Sequence, residues 1–391
     1  MLADTDAGNV VTAAQGGMQW GYRLLPLLLA LIPMLYLVQE LTIRLGVYTG
    51  RGHGELIRER FGPFWAYLSF LGLAAATIGS LITEFTAVAG VGELYGLSRA
   101  LTLSLAVAFL LFLVGAGSYR RVEKIAIAVG LFELAFFIVA LTASPNLADV
   151  ARDAVDPRWG DTGFMYLVAA IVGATFNPWM IFYQQSAIAD KGLQPGDIGH
   201  ARLDTGVGAV LTQCLTAAVL IAAAARLRSG DLPANLSSIG DISRALTPLL
   251  GAMAGRVVFS AGVLGASLVA AVVSSLALAW GLGEITGYRR SLASSPFEAP
   301  WFFGVYAASA IGSAALVWFA PNLVPLTIAA QILNALLMPL VIGLLVALAM
   351  TALPETARLR GRRLWLVLSL SATACGLSLW GGLSWLFAAL R

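Results

Sequence analysis

Long apolar runs, separated by short segments rich in Arg, Asp, Pro and Gly, occupy positions 22–46, 64–95, 100–118, 122–143, 162–189, 204–226, 254–283, 301–320, 324–351 and 363–390. Each is close to or above the roughly 20 residues that an α-helix needs to cross the hydrocarbon layer of a membrane. The pattern predicts an all-α, polytopic membrane protein with ten full spans. Residues 1–20 are shorter and more polar, and are read as the remaining part of an eleventh helix. When the loops are assigned alternately to the two sides, one side holds 15 of the 24 basic residues and the other holds nine. The basic-rich side is expected to be cytoplasmic.

Composition strengthens this picture. Hydrophobic residues make up 59% of the 391 positions and charged residues only 12%, against about 25% charged in soluble domains. Such a chain covers its exterior with lipid, not with water. Only Lys124 and Lys191 are lysines, and no basic run carries interleaved aromatics, so a nucleic-acid partner is not expected. Cys214 and Cys375 lie far apart inside apolar stretches and read as small core residues. Asp4, Asp6 and Asn9 interrupt what would be the apolar region of a cleavable signal peptide. The loop at 142–163, with Asp149, Asp153, Asp156 and Asp161, is placed outside, either as a solvated loop or as an acidic vestibule for cations; the polar stretch 227–247 is placed on the same side. No His-Glu-x-x-His or Gly-x-Gly-Asp occurs and no histidine falls in a span, since His53 and His200 are assigned to cytoplasmic loops. An intramembrane enzyme is therefore not expected.

Two segments with polar chemistry lie at corresponding places of the apolar pattern. Ala3–Asn9 in the first helix and Gly173–Trp179 in the sixth span both break the apolar pattern, and each sits at the head of a set of five spans. Interruptions at corresponding points of two halves predict inverted repeats whose broken helices line a site near the midplane. The repeats are placed at 1–143 and 162–351, together the transporter core 1–351, with 363–390 as an additional C-terminal helix. Asp6 and Asn9 offer two oxygen-bearing side chains from one unwound turn, and a carboxylate at this depth costs about 2.5–3.5 kcal/mol unless it is paired or binds a cation. An interfacial tail or helix cap is the alternative for Asp6 and Asn9; a simple proline kink is the alternative for Asn177-Pro178.

At these residues the chain resembles the natural resistance-associated macrophage protein (NRAMP) family of divalent metal transporters, which share the LeuT-type fold. Asp6-Ala7-Gly8-Asn9 is similar to the family's Asp-Pro-Gly-Asn signature, and Ala174-Thr175-Phe176-Asn177-Pro178-Trp179 to its Ala-x-x-Met-Pro-His signature. The similarity continues through the run 39–62, the run Thr83–Gly90, and span 10 around Gln331 and Pro339. The resemblance implies a LeuT-type 5+5 inverted repeat plus one extra C-terminal helix. It also implies an ion held by Asp6, Asn9, the Ala174 carbonyl, Asn177 in place of the usual methionine, and Gln331.

The departures from the family pattern shape the expected function. Asn177 offers a hard amide oxygen where the family has a soft thioether, which resembles the magnesium-transporting branch. Trp179 and Gln184 stand where family histidines are found, and with Asp4 and Glu84 they are the candidate accessory or proton-path residues that the resemblance implies. Of the span 3 proton-path pair only Glu84 remains, with Leu81 in the acid's place. Asp4 either joins the site or caps the broken turn. Five residues precede Asp6, so the first helix is truncated; a misplaced start and a degraded paralogue both account for this. The expectation is a multi-pass inner-membrane importer of Mg2+ or Mn2+ working by alternating access, without strong proton coupling. It needs no cofactor and no obligate protein partner, and its partners are the ion and the bilayer. The alternatives are a proton-coupled Mn2+/Fe2+ symporter and, less favoured, a LeuT-fold amino-acid carrier, whose substrate carboxylate an Asp at the break would repel.

Overall fold

The computed structural model describes residues 4–115, 119–227, 239–246, 252–320 and 323–389. Sixteen α-helices account for nearly all of them: α1 (Ala7–Trp20), α2 (Leu25–Thr49), α3 (His53–Phe61), α4 (Pro63–Leu94), α5 (Arg99–Gly115), α6 (Tyr119–Gly130), α7 (Ala135–Thr142), α8 (Leu147–Ala154), α9 (Thr162–Thr175), α10 (Pro178–Lys191), α11 (Ile198–Leu227), α12 (Ile239–Leu246), α13 (Ala252–Thr286), α14 (Pro300–Phe319), α15 (Leu323–Thr351) and α16 (Gly361–Ala389). Counting α6–α7 and α9–α10 as continuous rods, nine helical stretches among the described residues are long and apolar enough to cross a membrane. The arrangement is all-α, as the hydrophobic pattern predicts.

The two broken helices occupy the centre. Every residue of α1 from Ala7 to Met18 is buried, and so is every residue of α9 from Leu167 to Thr175. α1 packs on α11 and α9, α15 lies against α9 and α4, and α13 lies against α4 and α10. The periphery is apolar, with Phe112, Phe319 and Trp365 more than 70% exposed, as expected for side chains that meet lipid.

Local chemistry sets the helix ends. α1 stops at Gly21, whose φ of +64° requires glycine and whose Cβ would meet Asp153 Oδ2 at 2.5 Å. Asp153 also accepts from Tyr22 N at 3.3 Å, which fastens the C-terminal end of α1 to α8. α9 is capped by Asp161, whose carboxylate accepts from Gly163 N and Phe164 N. Asn177 adopts extended backbone before Pro178, because proline disfavours a helical residue ahead of it while suiting the first turn of the next helix.

Several expectations need correction. The run 122–143 forms one membrane-length stretch, Val122–Thr142, as expected, but with a 3₁₀ turn, Leu131–Leu134, between α6 and α7. Of the run 100–118, residues 116–118 lie outside the described residues, as do 228–238 and 247 of the stretch 227–247; Ile239–Leu246 forms α12. The four aspartates of the 142–163 loop are engaged locally, Asp149 with Arg152, Asp153 at the end of α1, Asp156 with Arg23 and Arg158, and Asp161 as a cap. That is the pattern of a structured loop containing α8, not of a vestibule. His53 does lie between two spans, α2 and α4, but it opens the short helix α3 there, is fully buried, and pairs through Nδ1 with Gln185 at 2.9 Å. His200 is exposed in the first turn of α11. Cys214 and Cys375 are partly exposed free thiols, not core residues.

Candidate cation-binding site

Asp6 is the N-cap of α1, so the cap alternative describes its backbone role correctly, but it is no interfacial tail. Its side chain is completely buried. Oδ1 accepts from Asn9 N at 2.8 Å and Asn9 Nδ2 at 3.1 Å, and Oδ2 accepts from Asn177 Nδ2 at 3.1 Å. The last of these joins the two helix breaks across 171 residues of sequence. Breaking α9 at Phe176 leaves carbonyls without helical partners, and the Ala174 oxygen among them accepts from Asn177 Nδ2 (2.8 Å) and Asn9 Nδ2 (3.2 Å). The negative end of the α9 dipole thus points at the same spot as the Asp6 carboxylate, and both favour a cation there.

α15 closes the site. Gln331 is fully buried and so near the first break that a Cβ on Gly8 would lie 2.1 Å from its Nε2 and 3.0 Å from Asp6 Oδ1. α9 and α15 touch directly, since a Cβ on Gly173 would lie 1.9 Å from the Gln331 carbonyl oxygen. Asp6, Asn9, the Ala174 carbonyl, Asn177 and Gln331 therefore converge on one buried point. All of these groups are oxygen or amide groups. Among the described residues no three His, Cys, Asp or Glu side chains gather as a metal cluster, so the donor set is one carboxylate with amides and a carbonyl, a hard set.

The accessory residues divide. The Asp4 carbonyl accepts from Asn9 Nδ2 at 2.8 Å, while its buried carboxylate turns away to Gln39 Nε2. Gln39 also donates to Met180 Sδ at 3.0 Å, which brings a thioether to the Asp4 side of the cluster, one turn beyond Asn177. Glu84 is fully buried, and its Oε2 accepts from Ala7 N at 3.2 Å. Trp179 and Gln184 do not join the cluster: the indole N–H donates to Ser80 Oγ at 3.0 Å, and Gln184 pairs with Thr42 and Thr205.

Two buried residues escaped the sequence reading. Asn334, on α15, donates to Asn177 Oδ1 and to Gln331 Oε1 (3.0 Å). Glu133, in the 3₁₀ turn between α6 and α7, is fully buried beside Thr5. A lone polar residue inside an otherwise apolar span is the signal that marks both.

A cleft of about 660 Å3 opens one helical turn away from Gln39 along α2 and from Met180 along α10. Ile43, Tyr183, Gln184, Glu123 and Asp204 line it, and Lys191 pairs with Glu123 at 2.7 Å beside it.

A family model described as natural resistance-associated macrophage protein-like matches residues 1–384. A "Divalent metal cation transporter MntH" from Bradyrhizobium diazoefficiens is 29% identical over 287 residues, covering 70% of this chain and 63% of that protein. The protein of the same description from Deinococcus radiodurans is 30% identical over 294 residues, covering 71% and 65%. The match thus spans a little under two thirds of the length of these relatives. The crystal structure of an Eremococcus coleocola manganese transporter, in complex with an aromatic bis-isothiourea substituted compound, superposes with a TM-score of 0.76 at 19% identity, over 97% of this chain and 83% of that one. MhsT in complex with L-phenylalanine gives 0.63 at 14% identity, over 96% and 98%. These likenesses show the LeuT-type fold. With the family model spanning almost every residue and both signature breaks meeting at one buried carboxylate, the chain belongs to the natural resistance-associated macrophage protein-like family.

Proposed function

We propose that this protein carries a divalent metal cation across the cell's inner (plasma) membrane by alternating access, taking a hard ion of the Mg2+ or Mn2+ class at Asp6, Asn9, Ala174, Asn177 and Gln331. The observation that carries the reading is the fully buried Asp6 carboxylate at the meeting of the two helix breaks, faced by amides and a carbonyl and by no imidazole. Its charge offsets part of the cost of stripping water from a divalent ion, which amides alone do not. The cleft between α2, α6, α10, α11 and α13 is suited to be the ion's route to the basic-rich side. Inward movement of two charges gains about 4.6 kcal/mol per 100 mV, or roughly three decades of concentration at about 1.4 kcal/mol per decade. No proton need accompany the ion. The names of the relatives agree with a divalent metal substrate.

A proton-coupled Mn2+/Fe2+ symporter is the second reading, favoured by the buried Glu84 and Glu133 near the break and by the Met180 thioether. One experiment tests both. Purified protein in liposomes is assayed for Mg2+ and Mn2+ uptake at clamped potential while intravesicular pH is recorded. Uptake that Asp6→Asn abolishes in a folded protein, without acidification, is the expected result. Near-normal transport by Asp6→Asn overturns the site. Acidification in proportion to metal flux establishes the second reading instead.

A further inference from the structure

Asn334 is fully buried on α15, between Gln331 and Asn177. A primary amide has a donor end and an acceptor end, and Asn334 meets both neighbours through the same end, Nδ2, so a half-turn of its amide reverses both pairings. In the sense the structure shows, Asn334 Nδ2 donates to Asn177 Oδ1 and to Gln331 Oε1. The N–H ends of the outer amides therefore turn toward the first helix break. Asn177 Nδ2 donates to Asp6 Oδ2, and Gln331 Nε2, with no hydrogen-bond partner among the described residues, faces Gly8 and Asp6.

The opposite sense exchanges every donor for an acceptor. Asn334 then presents Oδ1, an atom that makes no hydrogen bond in the sense observed, and Asn177 and Gln331 donate to it. Their oxygens swing to the Asp6 side. N–H groups repel a cation and oxygens bind one, so only this sense gives the site its full donor set: Asp6, the Ala174 carbonyl, Asn177 Oδ1, Gln331 Oε1 and Asn9 Oδ1, which also makes no hydrogen bond as observed. Because both contacts are made by one end of the Asn334 amide, its turning reverses the two neighbours together.

We infer that Asn334 is a positioning residue that sets the polarity of this three-amide relay, and so decides whether Asn177 and Gln331 offer a divalent cation oxygen or N–H. The inference rests on the proposed ion site and goes beyond it by naming what orients its two amide donors. An apolar side chain at 334 would leave each amide to turn independently, with buried polar ends unsatisfied.

The test is calorimetric Mn2+ binding to the purified full chain, with Asp6→Asn measured alongside. Asn334→Leu keeps the branched four-atom shape and removes both hydrogen bonds; Kd is expected to rise about tenfold, in line with the loss of one buried hydrogen-bond arrangement. Coupling distinguishes positioning from a structural role. If Asn334 acts through Asn177, the Asn177→Ala/Asn334→Leu protein loses less affinity than the sum of the two single losses. Asn334→Asp, an acceptor only, holds both neighbours in the oxygen-out sense and should tighten binding, by less once Asn177 is alanine; it serves equally if Asn334→Leu does not fold. Wild-type affinity in folded Asn334→Leu, or strict additivity in either cycle, overturns the inference while loss of binding in Asp6→Asn keeps the site. Undiminished binding by Asp6→Asn, or no binding by wild type, overturns the site and the inference with it.

Discussion

Two glycines flank Gln331 from opposite sides, and replacing each by alanine should have opposite consequences. A Cβ at Gly8 would sit 2.1 Å from Gln331 Nε2 and 2.7 Å from its Cδ, so the side-chain amide must withdraw by about 1 Å or more to reach ordinary contact. A side-chain end can do so, and alanine in a helix gains roughly 0.5–1 kcal/mol over glycine, so Gly8→Ala should fold as well as wild type. Gln331, however, leaves the ion. Loss of one oxygen donor, set at about 1.4 kcal/mol as a typical hydrogen-bond-scale contribution, raises Kd about tenfold. A Cβ at Gly173 instead meets backbone, the Gln331 carbonyl oxygen at 1.9 Å and Ala335 N at 2.8 Å. Only separation of α9 from α15 relieves that, at about 1–3 kcal/mol or more. Gly173→Ala should therefore lose thermal stability in detergent. Gly343→Ala, with nothing within 4 Å of the added carbon, is the control for both. Size-exclusion recovery after heating and Mn2+ calorimetry separate the outcomes. Unchanged affinity in Gly8→Ala would show that Gln331 does not face the ion, and a Gly173→Ala protein as stable as the control would refute the close approach of α9 to α15.

Asn177→Met should raise Mn2+ or Cd2+ transport relative to Mg2+, because thioether sulfur interacts poorly with a hard ion; an unaltered competition profile in liposomes would place the 177 side chain away from the ion. Burial pushes the His53 imidazole down to about 4, against the opposing hydrogen bond from Gln185. The unfolded chain, with histidine near 6.5, takes up the proton first as pH falls, so this contribution to stability is whole above about pH 6.5 and is lost toward pH 4, by about 3 kcal/mol. His53→Gln should flatten that part of the pH profile of thermal stability, and a profile with the same slope in both proteins would contradict the burial argument.

How much of this was legible in the sequence varied with how many residues carried each signal. The helix breaks stood out because Asp, Gly, Asn and Pro cluster within runs that are otherwise apolar, and the structure brings those two clusters together through Asn177 and Asp6. Asn334 and Glu133 gave one polar letter each in spans whose mean remained apolar, and their partners lie far away in sequence on other helices. The 3₁₀ turn before α7 contains neither Gly nor Pro, and the single Gly130 ahead of it sits in a largely apolar run, so the local signal was weak. Trp179 stands where the family has a histidine, yet its large indole reaches across to Ser80 and packs as core. His53 lies in the connection between α2 and α4, as its place between two apolar runs indicates, but its burial depends on contacts distant in sequence. Gly52 and Gly54 let α3 press onto α13, where a Cβ on Gly52 would overlap the Glu284 carboxylate.

The fastening of Gly21 and Tyr22 to Asp153 makes α1 a lever with one end pinned. Its 14 residues span about 21 Å at 1.5 Å each, with the pivot at Gly21 and Asp6 at the far end. A tilt of about 5° about that pivot carries the Asp6 carboxylate roughly 2 Å, about the length of one metal–oxygen bond. Such a rotation would separate Asp6 from the Ala174 carbonyl, which α9 holds in place, without unwinding a single turn of helix. The gearing lies in the length of the arm: at the proposed site, small movements of the helices that support α1 would become, at its tip, the difference between a coordinating distance and one too long to hold an ion.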